Sequence, residues 1–474
     1  MPMLMVIAAF ALLGVADAIE PVGPRGWPAG LAVAFTIPVM GGIALRLIAA
    51  RVARGLDRRG DARGVSGFRR AGSLYRVLSI FSYAAAVLWA GWPSHVRDVM
   101  GDLPALDELV IALPVWVTFT ACFASSHPID RRMHEAVLIR RLDEGLPVQP
   151  HPSLVRAVLL AWRHQVLFLA IPLTFITAWS ETVVLAGPAI GLPDLAVGGV
   201  QIAGTIGVLA LSPLSLRYVW DAVPIRSGEL HDDIALMCRS HRVRISAVLV
   251  WRTGGTVVNA AVAGLLPFVR YMVLSDALLE QMPRRAVEGV AAHEIAHVKH
   301  HHLAWLALTV MACVTALGTP LGWLTGVAVL SGIDAATASV AAGVVTLAAA
   351  LGALGYVSRR FEWQADAFAA SHLSRTGAEP DVRHMSAPAI TEMCQTLGLV
   401  AELNGLPPER FMWRHGSISE RQRRVASLQG APLARLRPDR EARTVKVMIL
   451  VVLGVGLALV AAEALLGMAL RAAI

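Results

Sequence analysis

The chain has 474 residues, of which 56% are hydrophobic and only 16% charged, and its formal net charge is +8. Soluble globular domains average about 45–50% apolar and about 25% charged residues, so an ordinary soluble protein is excluded. The positive charge does not mark a nucleic-acid partner either, because its arginines are confined to alternate loops between apolar runs.

Those runs, in chain order, are 2–19, 27–48, 76–93, 109–126, 165–187, 196–216, 303–329, 337–357 and 446–470. Most have the roughly 17–25 residues that a helix needs to cross a hydrocarbon core of about 30 Å. Backbone groups inside hydrocarbon must pair within their own segment, so the runs are expected as helices. The expected fold class is mainly α: a polytopic membrane protein of about nine spans, with the lipid bilayer as a partner. The first run is expected as an anchor and not a signal peptide, since it lacks a basic start and carries Asp17 where a cleavage site would fall. Asp17, Glu181 and Glu463 fall in or near spans and are functional candidates by default, although an interfacial position accounts for each as well.

Charge placement orients the chain. The loop after the second run carries Arg51, Arg54, Arg58, Arg59, Arg63, Arg69, Arg70 and Arg76, and the loop after the fourth carries Arg131, Arg132, Arg140, Arg141 and Arg156. The segment 93–108 between them is acidic, with Asp98, Asp102, Asp107 and Glu108. The positive-inside rule then predicts a multi-pass protein of the cell (inner) membrane with a cytoplasmic N-terminus. Counting onward puts 217–302 and 358–445 in the cytoplasm, and both are rich in arginine. Cys122, Cys238, Cys313 and Cys394 lie far apart without a C-x-x-C pair, which argues against a disulfide framework and against a thiolate metal site.

Five regions follow: a membrane region at 1–216 with six spans, a polar block at 217–302, a transmembrane hairpin at 303–357, a second polar block at 358–445 and a last span at 446–474. Neither polar block is long enough to be a comfortable domain alone, so the two are expected to fold together as one small α+β cytoplasmic unit. In the first block, 230–241 reads as a helix, and Ala247–Trp251, Thr256–Ala263 and Val269–Leu274 read as Val-rich strands separated by glycine-containing turns. Ser275 and Asp276 cap a short helix, and Pro283 suits the first turn of the next.

That next helix carries His293-Glu294-Ile295-Ala296-His297. Histidines at i and i+4 project from one helix face, so both imidazoles reach one Zn²⁺ at about 2.0–2.1 Å. Glu294, rotated about 100° from His293, reaches a water at the metal without becoming a ligand and suits general-base work. A catalytic zinc needs a third protein ligand and an open position. Leu303 occupies the place where a third histidine of the extended motif would stand. His300 and His301 share roughly the His297 face, but fit the headgroup boundary better, together with His302. The preferred third ligand is Glu362, with Asp366 one turn further on positioned to accept a ring N–H from a ligand histidine and fix its tautomer. An amphipathic helix with solvated acids is the plainer reading of that segment.

At this point the sequence resembles the HtpX and CAAX prenyl endopeptidase group of gluzincin membrane metalloproteases, over roughly residues 225–428. The resemblance rests on Asn259 to Gly264, Arg270 to Asp276, the motif helix, the hairpin, Glu362 to Asp366, and His415 to Arg421. It implies one Zn²⁺ per chain held by His293, His297 and Glu362. It also implies a substrate-binding edge strand at Asn259, Ala260 and Ala261, and late His and Arg residues, His415 and Arg421, that donate to the oxyanion or hold substrate carbonyls. Arg424 competes with Arg421 for the inward position, and Gly416 stands where the family commonly has proline. The expected function is zinc-dependent hydrolysis of peptide bonds in membrane or membrane-proximal proteins, with Glu294 as general base. A sensor-transducer that cleaves one regulatory partner is the second reading, and a catalytically dead scaffold or transporter the third.

Overall fold

The computed structural model describes residues 2–16, 27–59, 63–143, 151–255, 257–377 and 383–472. Asp17 and Thr256, both named above, lie outside them. The chain divides into two compact units, Met1–Asp221 and Ala222–Ile474.

The first unit is helical throughout its described elements. The helix Trp27–Thr36 continues through a wide turn at Ile37–Gly41 into Gly42–Arg59. Pro38 sits in that turn, and its carbonyl accepts the buried Tyr75 hydroxyl at 2.6 Å. Among the described residues the whole protein has six helices long and apolar enough to cross a membrane, or seven if the bent pair Ala196–Leu211 and Pro213–Val219 is one span. The count of nine is not confirmed among them. The first run forms a helix over Pro2–Ala16, about 22 Å at 1.5 Å per residue, and the rest of that run lies outside the described residues. In the 109–126 run the helix, Leu113–Asp143, starts later and soon meets Ser125, Ser126, His127 and Asp130. Glu181, singled out as a candidate, accepts the Ala105 backbone N–H at 2.8 Å. In the acidic segment, Arg97 pairs with Asp107 at 2.7 Å and Glu108 at 3.0 Å.

The second unit holds a four-stranded sheet: β1 (Ala222–Ile225), β2 (Ala247–Trp251), β3 (Ala260–Ala263) and β4 (Tyr271–Ser275), in the order β1-β2-β4-β3. The β2–β4 pair is parallel and the outer pairs are antiparallel. β2 matches the expected strand, whereas β1, carrying Pro224 on an edge where proline is tolerated, was not anticipated. The strand expected over 256–263 is shorter, because Asp276 draws the preceding loop away by accepting from the Gly254 N–H and the Thr253 hydroxyl. Ser275 caps the helix Asp276–Gln281 by accepting from Leu278 N.

One hydrophobic core joins the two polar blocks. It contains Met272, Leu274, Ala291 and Ile295 from the first, and Ala370, Leu373, Met393 and Val425 from the second. Between them run the long helices His302–Leu330 and Ala335–Arg375. The second spans 41 residues, about 62 Å, or twice the hydrocarbon thickness. The expected span 337–357 and the expected ligand helix are thus one continuous rod. The last helix, Arg437–Ala472, likewise starts before the run expected at 446–470. It crosses the hairpin so closely that a Cβ on Gly456 would lie 2.6 Å from Ala316 N. Glu463 accepts from the Thr319 hydroxyl at 2.9 Å. All four cysteines are free.

Candidate metal centre

The motif helix, Arg284–Lys299, starts directly after Pro283. Val287, Ala291, Ala292 and Ile295 are buried in the shared core, which leaves His293 and His297 facing the helix that carries Glu362. His293 Nε2 lies 3.2 Å from His297 Nε2 and 3.6 Å from Glu362 Oε2, while His297 Nε2 lies 3.8 Å from Glu362 Oε1. A tetrahedral site with bonds of about 2.0–2.1 Å has ligand-to-ligand edges of about 3.3–3.4 Å. Two imidazole nitrogens and a buried carboxylate at these separations therefore fit a small divalent cation. Among the described residues this is the one group of three or more such side chains whose ligand atoms all lie within 4.8 Å of one another.

The surroundings order the ligands. Asp366 Oδ1 lies 3.0 Å from His293 Nδ1, the ring nitrogen turned away from the ligand cluster. Arg421 donates to Asp366 from Nε at 2.8 Å and from Nη2 at 2.6 Å, and its Nη1 lies 3.3 Å from Glu362 Oε2. Glu362, Asp366 and Arg421 are 4%, 1% and 8% exposed. Two carboxylates so buried would be costly without the cation between them. The Arg421 guanidinium, expected to donate to the oxyanion or hold substrate carbonyls, is engaged here with the two acids. That engagement also resolves the competition with Arg424, which lies 3.2 Å over the Trp363 ring and pairs with Glu420 and Glu441.

Burial opposes a charge on His293, but Asp366 and Glu362 outweigh it and hold its pKa up at about 10 in the metal-free protein. Burial lowers His297 to about 3, with His293 adding to the effect. Burial raises the Glu294 carboxyl to about 6, His293 opposing the shift and Glu362 assisting it.

His415 stands at the open side, 44% exposed, with Nδ1 2.9 Å from Glu362 Oε1. It is presented by a tight loop in which Met412 and Gly416 exchange backbone hydrogen bonds. Gly416 has φ +75°, a conformation closed to the proline that the family commonly has there, so the local turn differs.

The edge strand β3 runs beside Glu294, whose Oε2 accepts the Val262 N–H at 3.2 Å. Asn259 O accepts from Ser275 N on the β4 side, so by the two-residue alternation of a strand Ala260 and Val262 turn their backbone groups to the outer edge, where the Ala260 N–H donates to Asn259 Oδ1 at 3.0 Å. Of the three residues expected to bind substrate, Asn259 and Ala261 thus face the sheet and Ala260 faces outward. The edge, the motif helix, Glu362, His415 and Arg421 line one cavity of about 640 Å³, which Leu303, Leu306 and Phe361 extend toward the start of the hairpin. The three-residue ligand cluster does not include the histidine run His300–His302. The motif helix stops at Lys299, His301 adopts φ +56°, and a new helix starts at His302.

Residues 224–428 match the family model described as Peptidase family M48. None of the curated proteins compared with the chain matches it. A solved structure, the crystal structure of S. mikatae Ste24p, aligns over 85% of this chain and 100% of its own, with 12% identity and a TM-score of 0.36, a likeness too distant to carry an argument. The case therefore rests on the family match, the ligand cluster and the long apolar helices: residues 224–428 are similar to peptidase family M48, and the protein is a membrane metalloprotease.

Proposed function

We propose that the protein is a zinc-dependent endopeptidase that cleaves membrane or membrane-proximal proteins at the cytoplasmic face of the cell membrane. The observation that carries this reading is the placement of Glu294 in one cleft with the His293–His297–Glu362 cluster and the outer edge of β3. When bound there, zinc would supply a Lewis acid that polarises the scissile carbonyl and eases deprotonation of water.

The side chains divide the remaining work. An extended substrate segment adds to β3 through the outward groups of Ala260 and Val262, which places its carbonyl beside Glu294. Val262 N is then taken by substrate, and the Glu294 carboxylate is released to accept a proton from the attacking water. Having taken the proton, Glu294 returns it to the leaving amine. His415, reaching in from the exposed side, stabilises the charge that develops on the carbonyl oxygen. Arg421 and Asp366 hold Glu362 and His293 in register. The apolar end of the cleft toward the hairpin suits substrate that approaches from the membrane.

The cytoplasmic assignment requires an even number of crossings between the Arg-rich segment and the protease unit. Between the Arg-rich segment near residue 60 and residue 222, the 113–143 helix and the bent 196–219 pair are the two elements in question. If both cross or neither does, the protease unit stays on the arginine side. The N-terminus is cytoplasmic only if the first run crosses.

The test is Glu294→Gln in purified protein, assayed for chelator-sensitive cleavage of an unfolded membrane protein. The expected result is unchanged zinc content with cleavage reduced by about 10²–10⁴-fold; unaltered cleavage would overturn the mechanism. Reporter fusions after residues 60, 100 and 400 test the topology, and an external signal at 400 would overturn the orientation.

A further inference from the structure

His297 presents Nε2 to His293 and Glu362, so if it ligates metal there its only remaining nitrogen is Nδ1. That nitrogen lies 2.8 Å from His302 Nδ1. His302 Nε2 in turn lies 2.9 Å from Gln364 Oε1, and Gln364 Nε2 donates to Asp439 Oδ1 at 2.7 Å. His302 and Gln364 are 1% and 4% exposed. We infer that His302, Gln364 and Asp439 form a positioning relay that fixes the tautomer and ring orientation of His297 and anchors that ligand to the start of the C-terminal membrane helix. This inference rests on the reading of His297 as a zinc ligand.

The proton positions follow from hydrogen-bond arithmetic. A neutral imidazole has one donor and one acceptor nitrogen. With its Nε2 lone pair committed to a metal, His297 must carry its proton on Nδ1 and donate it to His302 Nδ1. His302 then carries its own proton on Nε2 and donates to the Gln364 carbonyl oxygen. The Gln364 amide is oriented by the same logic, since its N–H must meet the Asp439 carboxylate. Each member has one assignment that satisfies it, and the series ends on a formal negative charge. Asp439 lies in the first turn of Arg437–Ala472, where a helix terminus favours an anion.

The backbone is shaped for this contact. The break at His300–His301 lets the chain change direction, so that His302 turns back onto the His297 ring; an uninterrupted helix would carry position 302 onward past it. His302 also stacks on Phe361 with centroids 4.3 Å apart and planes 3° apart, which sets its ring plane. Lys446 of the same C-terminal helix donates to the His300 carbonyl at 2.9 Å and braces the break. The last helix thus supports the site at two points, through Asp439 and through Lys446.

The test measures zinc affinity of the full-length protein in detergent by chelator competition, together with the visible spectrum of the cobalt-substituted form. His302→Phe keeps the stacking surface but removes the acceptor. It is expected to weaken zinc by about 10–100-fold and to shift the cobalt ligand-field bands. Gln364→Glu sets a second carboxylate against Asp439 and is expected to weaken zinc as well. Adding Asp439→Asn restores a donor–acceptor pair with its direction reversed, and should recover the affinity to within about threefold of wild type. Unchanged affinity and spectrum in His302→Phe would overturn the relay, as would a double variant no better than Gln364→Glu. A wild-type protein that binds no zinc would instead overturn the metalloprotease reading itself, so the two failures are separable.

Discussion

Behind His293 stands a carboxylate, Asp366, held by two hydrogen bonds from Arg421; behind His297 stands a second imidazole, His302, backed by an amide and an acidic helix start. The two histidines are one turn apart on one helix, yet one is supported by buried charge and the other by a neutral series that ends on charge. The difference follows from what each side of the site faces. The His293 side abuts the core shared by the two polar blocks, where an unpaired acid would be costly. The His297 side abuts the start of the hairpin, where His302 and Gln364 stand between the ring and Asp439.

The largest expected effect separates the two arginines that compete in the sequence. Arg421→Met leaves Asp366 and Glu362 buried without their cation and should cost about 3–5 kcal/mol of unfolding free energy in detergent. Arg424→Met, which removes a partly exposed pair, should cost less than about 1 kcal/mol. Equal losses would mean that charge compensation is not what Arg421 supplies. Next, Asp366→Asn should weaken zinc by about 10–100-fold and by more than Asp439→Asn alone, because Asp366 contacts a ligand directly whereas Asp439 acts through two intermediates. The reverse order, measured by chelator competition, would invert the comparison between the two supports. The smallest effect concerns the edge strand. Ala260→Pro removes one outward N–H worth about 0.5–1.5 kcal/mol and should lower kcat/KM about 3–10-fold through KM, while thermal stability stays near wild type. A fall in kcat at constant KM would show that this edge does not bind substrate.

Much of the centre was legible before any coordinates. The i, i+4 spacing of His293 and His297 and the i, i+4 spacing of Glu362 and Asp366 are local helical facts, and helical geometry converts them into shared faces. Even the Asp366 contact to a ligand histidine could be anticipated, because such a ring has one nitrogen left to satisfy. His302 was not legible in the same way. Its role depends on a break at His301 in the left-handed region, and nothing in a run of three histidines announces which peptide will turn. The inward choice of Arg421 over Arg424 also needed tertiary packing, since both lie on one short helix and only the neighbouring acids decide between them. In the membrane region the difference came from hydropathy itself. The 109–126 run averages as apolar, yet its helix begins four residues later and carries its polar residues into the second half of the window.

The sequence by itself carried the candidate ligand pairs of the polar blocks, because the spacing of His293 with His297 and of Glu362 with Asp366 is a property of local order. Tertiary structure alone decided how residues separated by the hairpin become one site. His293 and Glu362 are 69 positions apart, and what joins them is a helix of 41 residues that runs without a break from Ala335 through the ligand to Arg375. A continuous backbone hydrogen-bond ladder makes that helix a rigid spacer, and the shared core fixes it against the motif helix. Distances of 3.6 Å and 3.8 Å from Glu362 to the two histidines are a consequence of that packing, which no local pattern encodes.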